Sequence, residues 1–330
     1  MADVLLITPR YPYFDFGDDL GIHQPLGLMQ LASHLIHNGI SARLIDANAS
    51  NIPNDLVLHE LPQHQAKLVL ISVTTVLLPQ SLQIAKAIKE THPDIVVIAG
   101  GPHFMSMPHT LEQKPFDAAF GAPEADNIIV QLAKNVMQTG KIDFSTPGLI
   151  YYKEGKQYQN PAPQFLPQSE LDKVPHPYKY AKEMGLNMSN YNGYANTAIY
   201  GKGKYASVIT SRGCVYKCTF CLEAEVFNRT YRFHSAKYVY DMLLDCEKLG
   251  AKEFYFMDSE WSTGRSRNME LMKMIVDDRK EWRWECLSRS TDFQHNTIDY
   301  PKMMKKSGCI SIGMGVESGS DETLRRIRKS

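Results

Sequence analysis

Three cysteines, Cys214, Cys218 and Cys221, fall within eight positions of the run Ser-Arg-Gly-Cys-Val-Tyr-Lys-Cys-Thr-Phe-Cys-Leu-Glu, which spans Ser211 to Glu223. Thiolates are soft ligands for zinc and iron. All six cysteines lie after residue 210, and such clustering favours a metal role over a disulfide framework. Structural zinc is held by four ligands, usually as two spaced pairs. Here the spacing is Cys-x₃-Cys-x₂-Cys, and no second pair follows. His234 could complete a zinc site, but it stands at an expected helix start, where solvated or capping roles are commoner. A bacterial ferredoxin run needs a fourth cysteine close behind, and the next one is Cys246. What remains is a [4Fe–4S] cluster on three thiolates, with one iron open to another ligand in the way catalytic zinc keeps an open position. The bland alternative is three incidental thiols on a loop. Cys246, Cys286 and Cys309 fall on helix or strand positions and read as plain buried thiols.

Such a loop must be carried by a rigid scaffold. The second half of the chain shows a βα rhythm, with strands expected at Ala206–Thr210, Glu253–Met257, Trp282–Ser288 and Ile310–Val316. Helices are expected near 235–249, 266–279 and 298–306, with a fourth starting at Asp321. These are four units of a parallel βα barrel, in which chemistry gathers at the carboxyl ends of the strands. The cysteine run follows the first of these strands directly. Four units leave a sheet edge unpaired and cannot close a barrel.

The first half alternates in the same way. Val4–Ile7, Ala42–Ile45, Leu68–Val73, Ile95–Ala99 and Asp117–Phe120 read as strands. Helices are expected over Leu26–His37, with Leu28, Leu31, Leu35 and Ile36 on one face, over Pro79–Thr91, and over Glu124–Val136. This pattern implies a doubly wound, Rossmann-like parallel sheet with its ligand at the carboxyl ends of the strands. The loops there are small and polar: Thr8-Pro9, Ser72-Val73-Thr74-Thr75, Gly100-Gly101-Pro102 and Gly121-Ala122-Pro123-Glu124. Neither a Gly-x-Gly-x-x-Gly fingerprint nor a phosphate-binding Gly-x-x-x-x-Gly-Lys run is present, which disfavours ordinary dinucleotide and nucleoside triphosphate sites. A small hairpin near Gly148–Tyr152 and a proline-rich stretch follow. The expected domains are 1–140, a hairpin and proline-rich connector at 141–200, and 201–330.

Lys+Arg and Asp+Glu both number 36, so no net field draws the chain to nucleic acid or to an anionic membrane. A hydrophobic content of 43% with 22% charged residues is that of an ordinary globular protein. The start of the chain lacks a signal-peptide pattern, and no apolar run nears the roughly 20 residues of a membrane span. A cytoplasmic, reducing location is expected.

The cysteine run, with aromatic Phe220 just before the last cysteine, resembles the signature of the radical S-adenosylmethionine enzymes. Phe254–Asp258 resembles that family's second strand with its terminal acid, and Trp284–Arg289 its third. Ser307-Gly308-Cys309 through Gly313–Ser320 resembles its fourth, with Gly-x-Glu-Ser-Gly at the adenosylmethionine site. The resemblance implies that Cys214, Cys218 and Cys221 hold the cluster and that adenosylmethionine fills the open iron. Phe220, Arg289, Glu317 and Ser318 would line that ligand. Arg289 offers a fork for a carboxylate, and Glu317 an acceptor for ribose hydroxyls or the ammonium. A structural ion pair for Arg289 and a helix-cap role for Glu317 and Ser318 are the plain alternatives.

The first half resembles the cobalamin-binding domain that precedes many such enzymes. The resemblance places Thr8, Ser72, Thr74, Gly100, Gly101 and Gly121 at the cobalamin. Relatives usually read Gly-Glu-x-Glu where this chain has Gly121-Ala122-Pro123-Glu124, and the Asp-x-His-x-x-Gly motif that supplies a cobalt ligand is absent. His103 is read as ordering its loop by a hydrogen bond instead of ligating cobalt. The implied activity is cleavage of S-adenosylmethionine to a 5′-deoxyadenosyl radical, with cobalamin-dependent methyl transfer to an unactivated carbon of a small molecule. A radical-initiated oxidative cyclisation or ring rearrangement is the alternative. The reducing partner would be a flavodoxin or ferredoxin. No catalytic side chain is singled out. With about four of the family's six barrel units, an inactive truncated fragment is the competing expectation.

Overall fold

The computed structural model describes residues 2–11, 23–112, 115–191, 204–293 and 298–329. The chain divides into two compact units, one of residues 1–18, 25–166 and 174–190, the other of residues 19–24, 167–173 and 191–330. Among the described residues, no helix is long and apolar enough to cross a membrane.

In the first unit the short apolar runs become strands because both of their faces are covered. The elements in chain order are β1 (Val4–Thr8), α1 (Leu26–His37), β2 (Ala42–Asp46), β3 (Leu68–Ser72), α2 (Leu78–Thr91) and β4 (Val96–Gly100). Then follow α3 (Pro102–Ser106), β5 (Ala118–Phe120), α4 (Ile129–Thr139), β6 (Leu149–Lys153) and β7 (Lys156–Gln159). The sheet runs β2-β1-β3-β4-β5-β6-β7, parallel from β2 to β5 and antiparallel from β5 to β7. Leu5, Ile7, Val69, Ile71, Val97 and Ala99 pack with Ile84, Ala85 and Ile88 of α2 in one core. Helix α1 packs against α4 and β1, and α4 against β3. This is the doubly wound sheet expected.

Several details depart from expectation. On α1 the buried face is Leu26, Leu28, Met29, Ala32, Ser33 and Leu35, whereas Leu31 and Ile36 are half-buried. Helix α4 starts at Ile129, not Glu124, because Ile128 and Ile129 both donate their N–H groups to the Ala125 carbonyl in a preceding turn. Glu124 is buried there, its carboxylate accepting the Leu166 N–H at 3.2 Å. A 3-10 stretch at Leu56–Gln63, unforeseen, supplies Val57 and Leu61 to the core. The expected hairpin is β6–β7, and it extends the first sheet by hydrogen bonds to β5. The connector expected at 141–200 divides between the units, and its residues 192–200 lie outside the described residues.

The second unit contains β8 (Tyr205–Val208), β9 (Ser211–Arg212), α5 (Leu222–Val226), β10 (Arg232–Phe233), α6 (Ala236–Lys248) and β11 (Glu253–Phe256). It continues with α7 (Arg265–Asp277), β12 (Arg283–Ser288), α8 (Asp299–Lys306), β13 (Cys309–Met314) and α9 (Asp321–Arg326). Four parallel strands form the sheet β13-β12-β11-β8, and α6, α7 and α8 pack in succession. Ala206, Phe254 and Trp284 are in register across it, and all are buried, with Cys246, Cys286 and Cys309 buried as expected. Trp261 lies 4.3 Å from Phe256 and 5.4 Å from Trp284 between ring centroids, and the Trp284 indole N–H donates to the Ser307 carbonyl at 3.0 Å. Trp284→Ala should cost about 3–5 kcal/mol of stability, measured as a lower denaturant midpoint at unchanged slope. A loss under about 1 kcal/mol would show that this face is not a packed core.

Candidate functional site

The cysteine loop leaves β8 under tight control. Ser211 and Arg212 (β9) pair antiparallel with Phe233 and Arg232 (β10), so a two-residue ladder closes the base of the loop. Behind it sits Asp258, just past β11 and 1% exposed. Its carboxylate accepts the Thr210 N–H at 2.8 Å and the Thr210 hydroxyl at 2.7 Å, and also the Ser211 hydroxyl. Arg267, buried on α7, donates to the carbonyls of Thr210 and His234, each at 3.2 Å. Gly213 enters the loop at φ +83°, and a Cβ there would stand 2.3 Å from the Thr230 carbonyl oxygen. Only glycine suits that combination of left-handed backbone and close approach.

Cys214, Cys218 and Cys221 are half-buried on this loop, the last immediately before α5. Burial pushes the Cys214 thiol up, and the backbone N–H of Tyr216 opposes that shift. Among the described residues, no three His, Cys, Asp or Glu side chains are grouped to hold a metal ion. The fit to an iron–sulfur cluster therefore rests on the donor set, three accessible thiols on one loop at the carboxyl edge of a parallel sheet. His234 is buried, not solvated, with Nδ1 3.1 Å from Asp172 and its ring stacked 4.0 Å from Tyr238. That pairing fastens the segment before α6.

Arg289, just past β12, reaches the same loop. Its guanidinium lies 3.8 Å from the Tyr216 ring centroid, and Nη1 donates to Cys218 Sγ at 3.6 Å. Nη2 donates to the Lys329 carbonyl, and Nε is buried with no partner among the described residues. The guanidinium is thus held by an aromatic face, a sulfur and a carbonyl, where an ion pair was the plain alternative. Asp292 accepts the Arg289 backbone N–H at 3.0 Å and the Tyr216 hydroxyl at 3.2 Å. Burial, then the neighbouring Asp292 carboxylate, pushes Glu260 up to about 8, so at neutral pH this buried acid holds its proton. Tyr216, pushed up to about 12 by burial and Asp292, stays a phenol.

Glu317 takes a left-handed backbone, φ +59°, uncommon for a side-chain-bearing residue. Its carboxylate lies 3.2 Å from Lys329 Nζ, and that ammonium is 6.0 Å from the ring of Phe220, which is 56% exposed. The Ile327 carbonyl accepts the Thr219 N–H at 3.0 Å. The segment from Glu317 to Lys329 therefore rests on the cysteine loop. Ser318 closes a local turn by accepting the Ser320 N–H at 3.1 Å, while Ser320, not Ser318 or Glu317, caps α9.

In the first unit the expected loops meet along the carboxyl ends of β1, β3, β4 and β5. Ser72 and Gly100 are register partners. Gly101 has φ +104°, and a Cβ would lie 2.8 Å from the Val73 carbonyl oxygen, so the two loops touch through bare backbone. Gly121 donates its N–H to the Gly148 carbonyl at 2.9 Å. Thr8 Oγ1 and Thr74 Oγ1 are buried without hydrogen-bond partners among the described residues. Buried hydroxyls are rarely left so, and two at the ligand end of the sheet fit a polar cofactor there. His103 is 1% exposed, with Nδ1 3.1 Å from the Thr75 hydroxyl and Nε2 2.7 Å from that of Thr110. Both ring nitrogens serve the loop, as expected.

Tyr216, Glu260 and Asp292 escaped the sequence reading. Tyr216 could have been suspected from its place between two of the cysteines. Asp292 carried no local signal, because only folding sets it against Tyr216.

The raised Glu260 gives a signed expectation. Between its ordinary range and about pH 8 the folded chain holds a proton that the unfolded chain releases, so stability falls as pH rises through that window. Glu260→Gln should flatten the stability curve between about pH 5 and pH 8 relative to wild type. Parallel curves for both proteins would refute the buried, protonated acid.

Residues 17–133 match the B12 binding domain family, and residues 208–330 match the Radical SAM superfamily. An uncharacterized methyltransferase of Pyrococcus horikoshii is 27% identical over 92% of this chain and 63% of its own length. The anaerobic magnesium-protoporphyrin IX monomethyl ester cyclase of Rubrivivax gelatinosus is 24% identical over 99% of this chain and 57% of its own. Among solved structures, the radical S-adenosylmethionine methyltransferase TsrM of Kitasatospora setae superposes with a TM-score of 0.74 at 19% identity, over 98% of this chain and 60% of that one. The cobalamin-dependent S-adenosylmethionine radical enzyme OxsB gives 0.80 at 19% identity, over 100% and 46%. The chain spans about half to two thirds of the length of these relatives. The chain therefore carries a B12 binding domain over residues 17–133 followed by a Radical SAM superfamily domain over residues 208–330.

Proposed function

We propose that the chain is the cobalamin-binding and radical-generating part of an enzyme that transfers a methyl group to an unactivated carbon of a small molecule. The observation that carries this reading is the cysteine loop at the carboxyl edge of the second sheet, with the Arg289 guanidinium already against Cys218 Sγ. Cys214, Cys218 and Cys221 would hold a [4Fe–4S] cluster as thiolates. Arg289 would take the carboxylate of S-adenosylmethionine on the forked edge of Nε and Nη2, the ligand replacing the Lys329 carbonyl at Nη2. Glu317 would accept from the ribose hydroxyls or the ammonium, releasing Lys329, and Phe220 and Ser318 would line the same ligand. Thr8, Ser72, Thr74, Gly100, Gly101 and Gly121 would line the cobalamin, the bare Gly101 backbone permitting close approach and the two threonine hydroxyls gaining partners.

When bound, the cluster supplies the electron that cleaves S-adenosylmethionine and the cobalamin supplies the methyl group. The residues here would bind and orient these groups; buried Glu260, beside half-buried Asp292, keeps the floor near Arg289 from carrying two negative charges. An electron donor of the flavodoxin or ferredoxin kind and a reducing cytoplasmic setting complete the proposal. Methyl transfer is supported by the methyltransferase relatives, and a ring-forming oxidation by the Rubrivivax cyclase, whose match runs over nearly the whole chain.

Anaerobic reconstitution of the full chain should give about four iron and four sulfide per chain, and Cys214→Ala should lose most of both. Iron far below that in wild type, or unchanged in the variant, would sink the cluster assignment. Incubation with hydroxocobalamin followed by desalting should leave a coloured protein. Gly101→Ala should retain severalfold less, because its Cβ would drive into the Val73 carbonyl. A colourless wild type would end the cobalamin claim. With the complete protein, a methyl-labelled S-adenosylmethionine separates the two reactions: label in the product means methyl transfer, and an unlabelled oxidised ring means cyclisation.

A further inference from the structure

Arg289 is held in place with more care than carboxylate binding alone requires. Its backbone and that of Asp292 form a reciprocal turn. The Arg289 N–H donates to Asp292 Oδ2 at 3.0 Å, and the Asp292 N–H donates to the Arg289 carbonyl at 3.1 Å. The other carboxylate oxygen of Asp292 accepts the Tyr216 hydroxyl at 3.2 Å. Tyr216 lies between Cys214 and Cys218 in the chain, so one carboxylate ties the turn after β12 to the cysteine loop across 76 positions. The Tyr216 ring then forms a platform 3.8 Å from the guanidinium carbon. On that platform Nη1 meets Cys218 Sγ at 3.6 Å. Ser288, the residue before Arg289, is fixed in turn by its hydroxyl contact of 2.8 Å with Ser262.

We infer that Arg289 is a permanent hydrogen-bond donor to the Cys218 sulfur that raises the reduction potential of the cluster, with Tyr216 and Asp292 as the positioning residues that aim it. The inference rests on the cluster assignment above and adds to it a role independent of S-adenosylmethionine. The physics is direct. Reduction adds one negative charge to the cluster, and donors to its sulfurs stabilise the reduced form. A guanidinium keeps its charge at any working pH. At 7% exposure water screens this one poorly, so its field at the sulfur is stronger than that of a surface cation. The cation–π contact with Tyr216 holds the charge there without neutralising it. An acid ion-paired to the fork would cancel the effect; among the described residues none is, and Asp292 accepts instead from the Tyr216 phenol and a backbone N–H and shares a hydrogen bond with Glu260.

The test measures the reconstituted protein without S-adenosylmethionine. Wild type, Arg289→Gln, Arg289→Lys and Tyr216→Leu are loaded anaerobically and checked for iron and sulfide. Each is then titrated with redox mediators while the reduced cluster is followed by electron paramagnetic resonance. At a fixed poise near the wild-type midpoint, Arg289→Gln should lower the ratio of reduced to oxidised cluster roughly tenfold, about 59 mV for one electron. Tyr216→Leu should shift the ratio the same way by a smaller factor, and Arg289→Lys should recover part of the loss. Equal midpoints in fully loaded Arg289→Gln and wild type overturn the inference. If Arg289→Gln fails to load, an unshifted Tyr216→Leu overturns it equally. Failure of wild type itself to take up iron refutes the underlying cluster assignment, a distinct result read in the first step.

Discussion

The buried carboxylate of Asp258 is the contact on which the second unit's site depends. A carboxylate removed from water is costly unless hydrogen bonds and a counter-charge replace its hydration. Asp258 takes the backbone and hydroxyl of Thr210 and the hydroxyl of Ser211, while Arg267 holds the Thr210 and His234 carbonyls beside it. These bonds join the end of β11 to the exit of β8 and to both sides of the β9–β10 ladder. The chain must then turn at Gly213, where no side chain fits. Each cysteine is therefore delivered from a fixed point, although the loop that carries them remains half-exposed.

Charge around that loop follows the same logic. Arg289 brings a buried positive charge to Cys218, Asp292 is engaged by Tyr216 and by backbone, and Glu260 keeps its proton. A set of anionic thiolates would find a neutral-to-positive floor there. The first unit solves a different problem: its loops approach one another through glycine backbone at Gly100–Gly101, and two threonine hydroxyls, of Thr8 and Thr74, find no partner among the described residues. Both arrangements make sense as sites whose last partners come from outside the chain.

Much of the scaffold was legible because the physics is local. Runs such as Val4–Ile7 and Leu68–Ser72 have no polar face, and only a sheet covered on both sides accommodates them. The helices α2, α6 and α7 announce themselves by period. Where reading failed, a tertiary bond had overridden a local pattern. Glu124 looks like a helix start, yet its carboxylate is taken by the Leu166 N–H and the helix waits until Ile129. The proline-rich stretch looks like a free connector, yet the hairpin leading into it is stitched to β5. His234 looks like a surface histidine before a helix, yet Asp172 and Tyr238 enclose it.

The chemistry on offer is already present in the order of the residues: three thiols at a spacing that leaves one coordination position over, an arginine and a glutamate after later strands, and small residues at the ends of β1, β3, β4 and β5. Those facts are properties of residue type and separation along the chain. Which groups act together was settled by folding alone. Asp292 and Tyr216, 76 positions apart, share one hydrogen bond, and Arg289 meets Cys218 across 71. Hydrogen bonds and desolvation act over a few ångströms of space and are blind to distance along the chain, so the setting of the sulfurs had to wait for the fold.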